Sequence, residues 1–503
     1  MDRFHLLKTR FPALCICSLL CAACEAFGPK HVECMLHDGE EWIEAQSDHF
    51  TLQTNVDSEA ARETLQNLEW TRRALLRIWN ESFDPPTRID VILINRPWQW
   101  EEFGELWIAG KLIAVAPRPM MVLVGKLVPG DFIPQQDTVA HELTHYLSRY
   151  IFVRTPLWFE EGFAQFTQTV HKGDSDRTVV FGQPDLEILR YVQQYRPLPL
   201  NELWNWGTKP LTDEERNRYY ASSFAWFHYL YNRQGERFGR FWDALAEGRE
   251  PLAAWQQVFS NVDETQLYQD LIQYLDGGQY SEFRFPLTAK SVQITEKNIS
   301  PAEIHLMRAR LFRFGATQTS SEQVKNELET AVSLDENQVE ARAALIQMDT
   351  NPKRQQQSSE QLAAEFPTEP ASLKTLLFVL RKQGTGDRIE SVLVRALQQA
   401  PEDPALLGEL ALLRLGKGEM REANDLMARA LDQAPWSPWV LAACALTAAQ
   451  SGACDQTVLF ELQATTALSQ SGYDPDGIAE IQKLLDRAAA ECRTDVSETI
   501  KEN

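Results

Sequence analysis

Residues 141–145 read His141-Glu142-Leu143-Thr144-His145, an H-E-x-x-H inside the run 135–152. Two imidazoles four residues apart stand on one side of a helix, where both can reach one zinc ion while the carboxylate between them faces the water on that ion. In helical phase, Val139, Leu143, Tyr146, Leu147 and Tyr150 gather on one face, and His141 and His145 point roughly away from it. The pattern predicts a helix that packs on one side and lines a cleft on the other. A chance pentapeptide is the alternative, so a third ligand has to decide.

Thr155-Pro156-Leu157-Trp158-Phe159-Glu160-Glu161-Gly162-Phe163-Ala164 supplies one. Thr155 is placed to cap a second helix with Pro156 in its first turn. Phe159, Phe163, Phe166 and Val170 share a face of that helix and Glu161 lies almost opposite, while Glu160 falls on the flank as a solvated neighbour. These two motifs together resemble the gluzincin group of zinc peptidases, and within it the peptidase MA family, whose ligand helix reads W-[LF]-x-E-G-[LF]-A. The resemblance implies that His141, His145 and Glu161 hold Zn2+ and that Glu142 is the general base.

The chain has 503 residues, more than one core accommodates, so two or more domains are expected. With 71 Asp plus Glu against 49 Lys plus Arg its net charge is −22, which argues against nucleic acid or a bare anionic membrane as partner. Arg3, Lys8 and Arg10 precede a short apolar run, so residues 1–23 have the anatomy of a signal peptide and the protein is expected to be exported. The run ends Leu20-Cys21-Ala22-Ala23-Cys24, which resembles a bacterial lipobox with Cys24 as the lipidated residue, although Cys21 stands where an aliphatic residue is usual. A periplasmic or cell-envelope protein anchored only through that lipid is the expectation, and cleavage to a soluble secreted form is the alternative. In an oxidising compartment Cys454 and Cys492 are the preferred disulfide, against buried free thiols.

Residues 42–286 mix helix and strand patterns. Strands are expected at 49–54, 88–94, 113–115 and 120–124, and helices at 57–79 and 98–106, giving an α+β arrangement that leads into the zinc helix. In gluzincins a sheet-edge strand beside the zinc helix holds the substrate backbone, and 120–124 is the candidate by position. The aminopeptidase motif G-x-M-E-N is absent from the sequence, which favours an endopeptidase. Residues 219–230 are apolar almost all round and resemble the family's Y-A-x-S helix, so Tyr220 is the candidate oxyanion donor, with Tyr219 and His228 behind it. Gln165, Thr167 and Gln168 are neutral where related peptidases carry an acid that orients the histidines, leaving that partner unidentified.

After a connection at 287–299 the composition turns helical. Pro367-Thr368-Glu369-Pro370-Ala371, Pro401-Glu402-Asp403-Pro404-Ala405 and Pro435-Trp436-Ser437-Pro438-Trp439 stand 34 residues apart, a period that resembles tetratricopeptide repeats. The expected fold is an α+β zinc-peptidase domain followed by an all-α tetratricopeptide-like helical solenoid at 300–492, with 493–503 as a flexible tail. The solenoid is expected to bind a protein partner or hold a peptide or protein substrate without touching the zinc, so 42–286 should fold alone. Two other classes stand beside the peptidase: a non-catalytic protein-binding scaffold built on a retained peptidase fold, and a zinc hydrolase acting on a non-peptide bond.

Overall fold

The computed structural model describes residues 41–79, 83–95, 100, 103, 110–113, 118–124, 136–208, 210–315, 321–384, 386–469 and 475–499. The expected signal segment, Cys24 and most of the helix expected at 98–106 lie outside the described residues. Strands β1 (Ile43–Gln46), β2 (Phe50–Thr54), β3 (Ile89–Ile94), β4 (Gly110–Ile113) and β5 (Met120–Val124) form one sheet with a late strand, Thr295–Asn298, in the order β4-β5-β3-β2-β1 and then that strand. Helix α1 (Ser58–Trp79) joins β2 to its parallel neighbour β3, and the Asp57 carboxylate caps it by accepting from the Ala60 N–H at 2.8 Å.

Side chains alternate through this sheet, and both faces are covered. Ile89, Val91 and Leu93 of β3 and Met121 and Leu123 of β5 pack on one side with α1 and with α2 (Gln136–Ser148), the helix that carries both histidines. Ile92, Ile94, Met120, Val122 and Val124 pack on the other. Burial on both faces is why 120–124 reads as an unbroken apolar run. It also corrects the expected position of that strand: β5 lies between β3 and β4, and the sheet edge beside α2 is β4.

Helices α3 (Leu157–Thr167), α4 (Leu186–Tyr195), α5 (Leu200–Leu203), α6 (Asp213–Arg233), α7 (Gly235–Ala246), α8 (Pro251–Val258) and α9 (Glu264–Gly277) complete the α+β part, with a small antiparallel sheet of β6 (His171–Lys172), β7 (Thr178–Phe181) and β8 (Phe283–Pro286). The connection expected at 287–299 is not a linker, because β9 (Thr295–Asn298) pairs antiparallel with β1 and closes the far edge of the large sheet.

From Pro301 the chain is a solenoid of helix pairs. Helices α10 (Pro301–Arg310), α11 (Ser321–Leu334), α12 (Val339–Met348) and α13 (Pro352–Glu365) precede three regular pairs, α14 (Pro370–Gln383) with α15 (Gly386–Gln399), α16 (Pro404–Gly416) with α17 (Met420–Gln433), and α18 (Pro438–Gln450) with α19 (Cys454–Ser469). Both helices of each pair start 34 residues after their counterparts. The sequence enforces that register: Asp403 and Ser437 cap helices that open on proline, and Gly384, Gly418 and Gly452 take positive φ at the turn within each pair. The last helix, α20 (Pro475–Thr499), packs along α18, so the tail expected from residue 493 is helical through Thr499. Cys454 and Cys492 are joined, fixing α19 to α20. Among the described residues no helix is long and apolar enough to cross a membrane.

The two parts share their cores. Ile304 and Met307 of α10, with Phe312 just beyond it, cover Ile92, Ile94, Met120, Val122 and Val124, while the Trp436 ring, between α17 and α18, packs tilted against Tyr146 at 5.7 Å and edge-on to Tyr150 at 5.8 Å on the back of the histidine helix. The Thr87 hydroxyl also donates to the Gln433 carbonyl at 2.5 Å. A chain ending at Pro286 would expose those five sheet side chains, at about 1.5–3 kcal/mol each and as an upper bound. The sum rivals the roughly 5–15 kcal/mol that stabilises a whole domain. We therefore expect the fragment 42–286 to bind a hydrophobic dye and to show no cooperative melt while the full chain melts cooperatively; a cooperative transition in the fragment would show that the sheet does not need α10.

Candidate metal centre

Helices α2 and α3 meet over a buried pair of hydroxyls. Thr144 and Thr167 lie 2.6 Å apart, so one hydroxyl donates to the other, and the second donates back into its own helix, where Thr144 reaches the Ala140 carbonyl and Thr167 those of Phe163 and Ala164. Below this crossing, α3 lies against α6 at Gly162, where a Cβ would stand 2.5 Å from the Ser223 carbonyl oxygen and 2.9 Å from the Phe227 Cβ. Only glycine admits that approach. The Glu161-Gly162 pair thus joins a charged side chain to the contact that positions it, and the contact brings α6 close enough for Tyr220 to face the same cleft.

The site itself is a triangle. His141 Nε2 and His145 Nε2 are 3.1 Å apart, and Glu161 Oε2 stands 3.5 Å from the first and 3.6 Å from the second. Four ligands arranged tetrahedrally at zinc distances lie about 3.3–3.4 Å from one another, so the trio has the edge lengths that such an ion needs. The donor chemistry agrees. Glu161 Oε2 is buried without a hydrogen bond, and the Gln168 side-chain oxygen, 3.1 Å from His141 Nδ1, accepts from that nitrogen and leaves Nε2 as the lone pair facing the triangle. Gln168 is the orienting partner that sequence reasoning left unidentified; a neutral amide in place of an acid concealed it.

Electrostatics follow from this closeness. Burial alone would push His145 down, but the Glu161 carboxylate beside it overrides burial and raises the imidazole to about 9. Burial alone would raise Glu161, and the two histidines instead hold it well below the usual carboxylate range. Glu142 is 9% exposed and its Oε2 accepts from the Leu112 N–H of β4 at 2.8 Å. Gly110 lets β4 come this near, since a Cβ there would meet Thr138 at 2.7 Å and Glu142 at 3.2 Å. Tyr220 is raised by burial first, then by the carboxylates of Glu161 and Glu142, so its phenol stays protonated at the side of the trio.

Other expectations are corrected. Thr155 does not cap α3; Pro156 holds the cap position with no side-chain bond, and the Thr155 hydroxyl donates to Glu160 instead. Glu160 is not a solvated neighbour: burial raises its carboxyl and it lines a cavity shared with the repeats. His228 lies in the core, bonded to the Gly182 carbonyl at 2.9 Å and to the Tyr274 hydroxyl at 2.7 Å, with burial pulling it down to about 4. Tyr219 packs against Trp206 at 5.3 Å with the rings tilted. Neither approaches the trio by any contact found among the described residues. His49 and His305 pair with Glu69 and Glu327, at 2.8 and 2.6 Å.

No family model matches this chain, and no curated protein matches it. Solved structures similar to part of it include MamA, at 16% identity over 30% of this chain and 89% of that one with a TM-score of 0.24, and PilW, a type IV pilus biogenesis factor, at 17% identity over 37% and 82% with a TM-score of 0.26. At such scores the likeness carries no argument, and the solenoid stands on its own 34-residue register.

The charged pair predicts a pH dependence for the metal-free chain. His145 is raised above its ordinary value of 6.5, so its contribution is fully present below that value and is lost as pH rises through about 9. Glu161 is depressed, so its contribution is present above the ordinary carboxylate range and is lost only in strong acid. In chelator, the denaturation midpoint should fall between about pH 6.5 and 9, and Glu161→Gln should flatten that fall. An equal slope in both proteins would place the titration elsewhere.

Proposed function

We propose that this protein is an exported zinc-dependent peptidase, of the gluzincin type and akin to the peptidase MA family, whose helical repeats bind protein. The observation that carries the reading is the triangle of His141 Nε2, His145 Nε2 and Glu161 Oε2, with edges of 3.1, 3.5 and 3.6 Å, beside a buried carboxylate on the same helix. Zinc bound there would supply a Lewis acid and lower the pKa of water to about 7.

The chain's own residues then have distinct tasks. Glu142 takes a proton from the attacking water and returns it to the leaving amine, with the Leu112 N–H holding one carboxylate oxygen in place. Tyr220, kept neutral by its surroundings, donates to the oxygen that gains charge. The free edge of β4, rather than β5, is positioned to take a peptide as an added strand beside α2. Export through residues 1–23, with a lipid on Cys24 as the anchor, agrees with the Cys454–Cys492 disulfide, which persists in oxidising compartments.

A second reading has its own observation. The solenoid offers the stacked helices of a protein-binding scaffold, so a non-catalytic binder retaining the peptidase fold is the competitor. The Glu142→Gln variant separates the two. The peptidase reading expects zinc content to be unchanged and hydrolysis of unstructured peptides to fall by about 10²–10⁴. No turnover by the wild type would favour the scaffold, and equal turnover by both proteins would point to a contaminating protease or to a mechanism without Glu142.

A further inference from the structure

A cavity of about 220 Å³ lies between the α+β part and the repeats, next to the metal trio. On one wall are His145 and Ser148 of the last turn of α2, with Arg149 and Phe152 from the turn that follows it. The opposite wall comes from the solenoid, with Trp436 before α18 and Gln463 and Thr466 on α19. Whatever occupies this space touches both parts of the chain and lies beside the side chain of a proposed ligand. The repeats are therefore part of the site, contrary to the separation expected from the sequence.

Its charge balance indicates what it holds. Arg149 is countered by the nearby Glu160 carboxylate, which itself accepts from Thr155. Arg154, at the same cavity, has among the described residues only a loose ion pair, 3.8 Å from Glu250, and both oxygens of Glu250 already cap α8 by accepting from the Leu252 and Ala253 N–H groups at 3.2 and 2.6 Å. A guanidinium with so little compensation favours an anion, and its planar fork suits a carboxylate. In a chain of net charge −22, a cavity with a spare positive group runs against the overall field. Its volume is below the roughly 300–1,000 Å³ of sites for drug-sized ligands, which fits one residue of a peptide rather than several.

We propose that this cavity is a subsite for a carboxylate on the peptide substrate, with Arg154 as its anion partner and Trp436 and Gln463 of the repeats closing it. The inference rests on the peptidase reading for its placement, and its test is a binding measurement that does not need turnover. The carboxylate could be the C-terminal group of the peptide or an acidic side chain beside the scissile bond.

Fluorescently labelled hexapeptides in matched pairs, free acid against C-terminal amide and Glu against Gln at each position, would be titrated by anisotropy into the zinc-loaded full chain carrying Glu142→Gln, so that no peptide is consumed. One pair should show about tenfold tighter binding of its anionic member, and the pair that does so identifies the source. Adding Arg154→Gln should bring the two members to within about twofold without changing zinc content or the neutral peptide's affinity, and Arg154→Lys should restore part of the preference. No anionic preference in any pair, or equal weakening of both members by Arg154→Gln, would overturn the subsite. Selective binding without hydrolysis by the wild type would instead sink the peptidase reading and leave carboxylate recognition standing.

Discussion

Holding two imidazole nitrogens and a carboxylate oxygen within 3.6 Å of one another demands that two helices be fixed to a few tenths of an ångström. The cost of burying those polar atoms is offset only while they face each other or a cation. Two contacts that involve neither histidine enforce the geometry. The Thr144–Thr167 hydroxyl pair sets the spacing of α2 and α3, and the absent side chain of Gly162 lets α3 sink onto α6. Phe159, Phe163 and Phe166 fill the space around that crossing, packing on Phe227 at 5.4 to 5.5 Å, so the face of α3 opposite Glu161 is fully spent on packing.

The large sheet extends the same constraint to the solenoid. Its one face is covered by α1 and α2 and its other by α10 and α11, while Trp436 reaches the back of α2 from between two later repeats. The helix that carries both histidines is thus held from three directions, one of them belonging to residues nearly 300 positions further along the chain. This arrangement explains why the repeats are not an independent arm, and why a cavity beside His145 has one wall in each part.

Much of this was legible in the sequence because the controlling features are local. The i, i+4 spacing of His141 and His145 needs only helical geometry, the phase of Trp158-Phe159-Glu160-Glu161-Gly162 selects Glu161, and prolines 34 residues apart mark the repeats. What failed depended on distant partners. Helical phase puts Glu160 on a flank, but its fate is set by a wall drawn from residues 435–467. The Met120–Val124 run was placed at the edge although a run apolar at every position marks an interior strand. Thr295-Glu296-Lys297-Asn298 reads as a linker because all four side chains are exposed, which is how an edge strand paired on one side is built. Gln168 is hard to find in the sequence because an acid is the expected partner of His141, whereas an amide oxygen accepts from an imidazole N–H equally well.

The central claim is that this trio holds one zinc ion. Zinc K-edge absorption on the stoichiometrically loaded chain tests it most directly, together with zinc content of the His141→Ala and Glu161→Ala variants. The account predicts one zinc per chain with two nitrogens near 2.0–2.1 Å and oxygen at about 2.0–2.2 Å, and loss of that shell in either variant. A sulfur-containing shell, or a wild-type spectrum retained after both ligands are removed in turn, would place the metal elsewhere and contradict the account.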